Sequence, residues 1–225
     1  DNGYEPICQV ACRDRNRIAL ESDILSAYVL GLRNMLVMTG DHPLLGDHPE
    51  AKPVYDLDSI GLLHALKTLQ EGVDLAGKKL EGTPHFCVGA VVNPGADPLE
   101  PEIIKMEKKI QEGARFFQTQ AIFDAKLFEN FMKNIKHLRS DIKMLGGIVP
   151  LRSVKMARYM NMKIPGVVIS EKLIERLEKA SDFEREIVAI SRDIFLAIKS
   201  MCDGIHFMPI KANCLVSKIL DAVNK

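Results

Sequence analysis

No sign of charge predominates in this sequence. Across 225 residues, 30 lysines and arginines face 30 aspartates and glutamates, for a formal net charge of +0. That balance argues against a broad surface for nucleic acid or anionic lipid and leaves room only for a local basic groove. Long apolar runs are missing too: none reaches the length of a membrane span, and the opening "DNGYEPICQVAC" has no basic segment ahead of an apolar one. The five cysteines, Cys8, Cys12, Cys87, Cys202 and Cys214, form no Cys-x-x-Cys pair, which counts against a metal cage. Cys8 and Cys12 bracket an apolar run and share a face, so the thiols read as reduced and structural, and a cytoplasmic location is expected. Also absent is the Gly-x-Gly-x-x-Gly turn that a dinucleotide-binding sheet carries after its first strand.

What is present is an ordinary globular composition, 47% apolar and 27% charged. Apolar runs at 7–12, 35–38, 86–92, 116–121, 144–149 and 205–208 each lead into a helical pattern. Helices are expected at 59–69, 125–137, 153–160, 173–180, 183–201 and 213–223, with two more after the first and third strands. Strict alternation of strand and helix implies parallel strands covered by helices. The two long intervals, 42–83 and 161–200, hold extra segments rather than linkers, because the helical pattern resumes at once. Polar residues gather after strands: Asp14 and Arg15, then Asp41, Asn93, Gln120 and Lys211. A (β/α)8 TIM barrel places all such strand ends on the face that carries its active site. Six strands are visible where a barrel needs eight. The expectation is therefore an α/β chain, 1–225, forming a single catalytic barrel domain seen from about its third strand onward, and so N-terminally incomplete.

At "MTGDHP", "NPGADP" and "FFQTQAIFD", in this order and spacing, the sequence resembles the 5,10-methylenetetrahydrofolate reductases. It is most similar to the branch with the long "GDHP" loop. The resemblance implies a flavin-dependent barrel that reduces methylenetetrahydrofolate to methyltetrahydrofolate, in one-carbon metabolism and methionine biosynthesis. It implies FAD, with FMN as the alternative, and NAD(P)H or a partner protein as electron donor. Asp41 matches a family aspartate near flavin and folate. Gln120 matches a glutamine that hydrogen-bonds the pterin. Gln9, Thr39, Gly40, Tyr55, Asn93, Lys105, Lys108 and Lys109 fall where the family contacts its flavin. The family's general-acid glutamate lies on a strand expected to precede this chain, so no residue here receives that role.

The departures are informative. Thr39 replaces a usual arginine and Asn93 a usual histidine. Met160 stands where an aromatic often stacks on folate or nicotinamide, and Ala212 where an arginine often sits. These changes weaken the case for FAD over FMN and for NAD(P)H as the direct donor, and they point to an electron-transfer protein subunit; a homo-oligomer is the other association considered.

The residues suit that chemistry, and each has a plainer reading beside it. A methylene bridge between two folate nitrogens opens to an iminium cation, which a nearby carboxylate stabilises as charge develops. Asp41, following Gly40 at a strand mouth, fits this role; an Asx turn is the alternative. Gln120 donates and accepts at once, as a pterin edge requires, or is a satisfied buried amide. Lys105, Lys108 and Lys109 share one helix and can reach a diphosphate or simply face solvent. Asn93 can end its strand in a turn without any ligand. The Asp-His pairs at 41–42 and 47–48 tempt a metal reading, but the intervening prolines fit a stiff lid, and no metal is expected. The loop with Tyr55 is expected to cover the cofactor beside Asp41. Two rivals remain: a pterin-dependent methyltransferase without flavin, and a non-catalytic scaffold for an electron-transfer partner.

Overall fold

The computed structural model describes residues 3–140 and 142–224. Among them, six strands alternate with eight α-helices. The strands are β1 (Ile7–Ala11), β2 (Asn34–Met38), β3 (Cys87–Val92), β4 (Phe116–Ala121), β5 (Lys143–Ile148) and β6 (Gly204–Phe207). The helices are α1 (Arg17–Val29), α2 (Ser59–Gln70), α3 (Glu100–Gln111), α4 (Ala125–Asn134), α5 (Val154–Lys163), α6 (Glu171–Glu178), α7 (Phe183–Ile198) and α8 (Asn213–Val223). Every expected element is present, with its ends displaced by a few residues. The helix expected at 125–137 stops at Asn134 and finishes as a tighter 3-10 turn, Lys136–Leu138. Helix starts are set by side-chain caps that satisfy otherwise orphaned N–H groups. Asn16 accepts from the Ala19 N–H at 3.0 Å, Asp58 from Gly61 at 2.7 Å, and Ser153 from Met156 at 2.9 Å.

Two compact units make up the chain: residues 1–91 with 105–116, and residues 92–104 with 117–225. In the first, β1, β2 and β3 lie in chain order and pair in parallel, with Gln9 opposite Leu36 and Leu36 opposite Gly89. The Arg115 N–H then bonds the Val88 carbonyl at 2.7 Å, and the Phe116 ring occupies the space a side chain on Gly89 would need. So β4 begins beside β3. A doubly wound sheet would have reversed there and started β4 beside β1. In the second unit β4, β5 and β6 again follow chain order, and β5 pairs β6 in parallel from Leu145 opposite Gly204 to Ile148 opposite Phe207. This is the expected α/β fold, wound in one direction as the strands of a (β/α)8 barrel are.

The two long intervals acquire structure of their own. The first holds a 3-10 turn, Pro43–Leu45, then α2, then a turn closed by a bridge between Val73 and Lys79. The second holds α6 and α7. The helical periodicity buries Leu62, Leu63, Leu66 and Leu69 of α2 in the first unit and Phe128 and Phe131 of α4 in the second, where Phe117 of β4 is also buried. Burial of each such side chain stabilises by about 1.5–3 kcal/mol.

Candidate active site

In the first unit, β2 runs through the buried Met35, Leu36 and Val37 and ends at Thr39-Gly40-Asp41. Gly40 has φ +89, and a Cβ there would sit 3.1 Å from the Arg13 Cβ and 3.3 Å from the Ala11 Cβ. Only glycine makes this turn without strain. Four hydrogen bonds then tie the neighbouring segments together. The Thr39 hydroxyl accepts from the Ser59 N–H at 3.2 Å, at the start of α2. The Tyr55 hydroxyl donates to the Gly40 carbonyl at 3.1 Å. Arg13 donates to the Asp41 carbonyl at 3.2 Å, while its own carbonyl accepts from the Val54 N–H at 2.7 Å.

Arg13, which the sequence motifs did not single out, is therefore the hub of this strand end. Its Nε and Nη2 also grip the Asp14 carboxylate at 2.7 and 2.9 Å. That grip holds the Asp14 carboxyl below its ordinary range. Asp14 by its hydrogen bonds, and the charges of Asp14, Tyr55 and Asp41, raise the Arg13 guanidinium in return. The Asp41 carboxylate itself is exposed and has no hydrogen-bond or ion-pair partner among the described residues. Tyr55 holds its position at φ 43, a backbone conformation that costs a non-glycine residue of order 1–3 kcal/mol.

The loop between Asp41 and Tyr55 uses its two Gly-Asp-His-Pro copies differently. In the first, His42 Nδ1 accepts from the Leu44 N–H at 3.2 Å and caps the 3-10 turn. In the second, the His48 carbonyl accepts from the Ala51 N–H at 3.0 Å. A cleft of about 420 Å³ opens beside them, lined by Arg13, Asp14, Pro43, Gly46, Asp47 and His48. Among the described residues, no three histidines, cysteines or carboxylates are gathered as a metal would need.

The other expected site residues fall into two groups. Gln9 is exposed on β1, and Lys105 and Lys108 are exposed on α3, free of ion pairs among the described residues. Gln120 is exposed at the end of β4. These side chains are available to a ligand. Lys109, by contrast, is only 6% exposed and donates to the Val91 carbonyl at 2.7 Å. Asn93 is also engaged: Oδ1 accepts from the Gly95 N–H at 3.1 Å and Nδ2 donates to the Pro165 carbonyl at 3.0 Å. Glycines at 95 and 166 permit this close clasp, since a Cβ on Gly95 would overlap the Gly166 carbonyl. Met160 is 4% exposed on α5, and Ala212 is likewise buried.

Behind Gln120 lies a polar cluster that the motifs did not reveal. Thr119, 3% exposed, accepts the Gly147 N–H on its hydroxyl at 2.9 Å and donates that hydroxyl to the Gln120 carbonyl at 2.7 Å. Its own carbonyl accepts from His206 Nε2 at 2.9 Å. The one advance signal was a histidine inside the apolar strand "GIHF".

The five cysteines are all free. Burial, with the Asp58 charge adding to it, pushes the Cys12 thiol up to about 11, so it is an inert packing residue. None of the helices among the described residues is long and apolar enough to cross a membrane.

Parallel strands in chain order joined by helices, with the exposed polar side chains of Asp41 and Gln120 by their carboxyl ends, define an α/β protein. Over residues 1–224 the chain matches the family model for methylenetetrahydrofolate reductase, and it belongs to that family. "Methylenetetrahydrofolate reductase 2" of Schizosaccharomyces pombe is 24% identical over 96% of this chain and 35% of its own length. The Salmonella typhimurium "5,10-methylenetetrahydrofolate reductase" is 23% identical over 72% of this chain and 51% of its own. The chain thus spans between a third and about half the length of these curated relatives. The solved structure of an uncharacterized protein from Clostridium thermocellum, which binds two copies of 5-methyl-5,6,7,8-tetrahydrofolic acid, covers 96% of this chain and 92% of its own, with TM-score 0.49 and 15% identity.

Proposed function

We propose that this chain carries the site at which a flavin-dependent reductase converts 5,10-methylenetetrahydrofolate to 5-methyltetrahydrofolate. The observation that carries the reading is the exposed, unpaired Asp41 carboxylate, held at the mouth of β2 by its own backbone through Arg13 and Tyr55. A carboxylate presented in this way stabilises the cation that develops as the methylene bridge opens, without first having to abandon a protein partner. Gln120, its amide unengaged, reads the donor and acceptor edge of the pterin.

The residues fit a flavin. Gly40, packed against Arg13 and Ala11 at φ +89, makes the tight turn that carries the chain from the strand mouth to Asp41. Gln9 offers an exposed amide, and Lys105 and Lys108 offer exposed cations for phosphate. Bound there, the flavin supplies the two-electron redox chemistry that no side chain of this protein has. Lys109 and Asn93 support the site through the Val91 and Pro165 carbonyls they hold. FAD is the expected form, its diphosphate matching the two lysines, with FMN the competitor.

Electrons arrive through a partner protein rather than only from NAD(P)H. Met160 and Ala212 are buried, and they occupy the positions where directly fed relatives present an aromatic and an arginine.

Fluorescence titration with FAD and FMN, followed by stopped-flow reoxidation of the reduced flavin with methylenetetrahydrofolate, tests the whole reading. Binding of one flavin and folate-dependent reoxidation are expected. Folate binding without any flavin affinity would instead identify a methyltransferase. Rapid reduction by NADH alone would remove the need for a partner.

A further inference from the structure

We propose that Thr119 and His206 are positioning residues that orient Gln120 toward the pterin. The inference rests on the role given to Gln120 above. Both carbonyls flanking the Gln120 nitrogen-to-carbonyl segment are held by these two side chains. The Thr119 carbonyl, which forms the peptide bond into Gln120, accepts from His206 Nε2 at 2.9 Å. The Gln120 carbonyl accepts from the Thr119 hydroxyl at 2.7 Å. That hydroxyl is itself oriented by the Gly147 N–H at 2.9 Å, so its proton points at Gln120.

The reach of His206 depends on what β5 lacks. His206 lies on β6 and Thr119 on β4, with β5 between them in the second unit's strand order. The imidazole passes over Gly147, where a Cβ would stand 2.8 Å from Nε2, 2.7 Å from the Thr119 carbonyl and 2.9 Å from the Met208 Cε. To donate to a carbonyl, Nε2 must carry the proton. Burial lowers the His206 pKa against the pull of the Thr119 carbonyl, which favours the neutral ring, and the bond to that carbonyl selects the Nε2–H tautomer. Gln120 is thus an exposed amide on a backbone fixed from the buried side. A pterin edge needs donor and acceptor placed together, and such preorganisation is what a flexible strand end would lose.

The test measures 5-methyltetrahydrofolate affinity by calorimetry in the purified, flavin-loaded protein, alongside the rate of flavin reduction. Thr119→Val and His206→Phe should each weaken folate binding roughly tenfold, the scale of one hydrogen bond. Flavin reduction should be unchanged. Thr119→Ser and His206→Gln, which keep the donors, should restore the affinity. Added to Gln120→Ala, His206→Phe should cost nothing further, because both act through one side chain.

If Gln120→Ala weakens binding while Thr119→Val and His206→Phe do not, the positioning role is wrong and the role of Gln120 stands. If Gln120→Ala binds folate as wild type does, the role of Gln120 itself is wrong. Full additivity of His206→Phe with Gln120→Ala would also overturn the proposal. Should the phenylalanine variant not fold, the contrast between valine and serine at Thr119 decides the matter.

Discussion

At the end of β2 the groups that shape the backbone lie near water. Arg13, Asp14 and Tyr55 are exposed or half-buried, and they bind carbonyls of a loop whose own side chains mostly face solvent. At the end of β4 the shaping groups lie inside: Thr119 is buried and His206 partly so, and glycine at 147 leaves no slack between them. Surface hydrogen bonds exchange readily with water and are worth little individually, whereas a buried polar network is costly to leave half-made. The first strand end can therefore adjust around a ligand, and the second presents a fixed edge. A carboxylate that answers a developing charge suits the adjustable end, and an amide that reads a rigid heterocycle suits the fixed one.

The largest expected effect separates chemistry from architecture at the adjustable end. Asp41→Asn should slow folate-dependent flavin reoxidation by ~10²–10³, the usual loss for one electrostatic contact to a transition state. Its melting temperature should stay near wild type, since the exposed carboxylate makes no hydrogen bond among the described residues and acts on Arg13 only through its charge. Wild-type reoxidation would make Asp41 a turn residue.

Gly147→Ala tests the fixed end. The added methyl falls 2.7 Å from the Thr119 carbonyl and 2.8 Å from His206 Nε2. Overpacking of this kind costs about 1–3 kcal/mol, to be read from chemical denaturation. An unchanged midpoint would show that β4 is no stiffer than β2.

Tyr55→Phe removes only the bond to the Gly40 carbonyl. A loss of about 0.5–1.5 kcal/mol is expected, with the fold intact. A larger loss would mean that the loop after β2 is as firmly built as the cluster behind Gln120.

The smallest effect concerns pH. Arg17 holds Asp56 through a side-chain hydrogen bond first and its backbone N–H second, lowering the Asp56 carboxyl from 3.8 to about 2. A depressed carboxylate contributes stability above its unfolded pKa and loses it as pH falls through the folded one. Wild type should therefore lose a small, salt-sensitive increment between about pH 4 and pH 2, and Asp56→Asn should not. Parallel acid titrations of melting temperature would show it.

Much of this fold was legible in the chain. Apolar runs of strand length followed by 3.6-residue periodicity marked each βα unit, because burial on one face leaves the same period in any sequence that forms it. The helix starts expected at 59 and 153 fall within a residue of those of α2 and α5, where the structure shows Asp58 and Ser153 as the caps. The polar residues after strands were legible as well, and Asp41 and Gln120 proved exposed. Residue type alone could not separate Lys109 from Lys105 and Lys108, since a lysine is spent or free according to whether a carbonyl lies within its reach. Asn93 posed the same problem with Pro165, 72 residues away. Arg13, Thr119 and His206 left almost no mark: their roles depend on partners 28, 28 and 87 positions distant. Local sequence sets which segments bury a face, because that choice depends on neighbours along the chain. Which polar groups remain free for chemistry is settled only when strands far apart in sequence come to lie side by side.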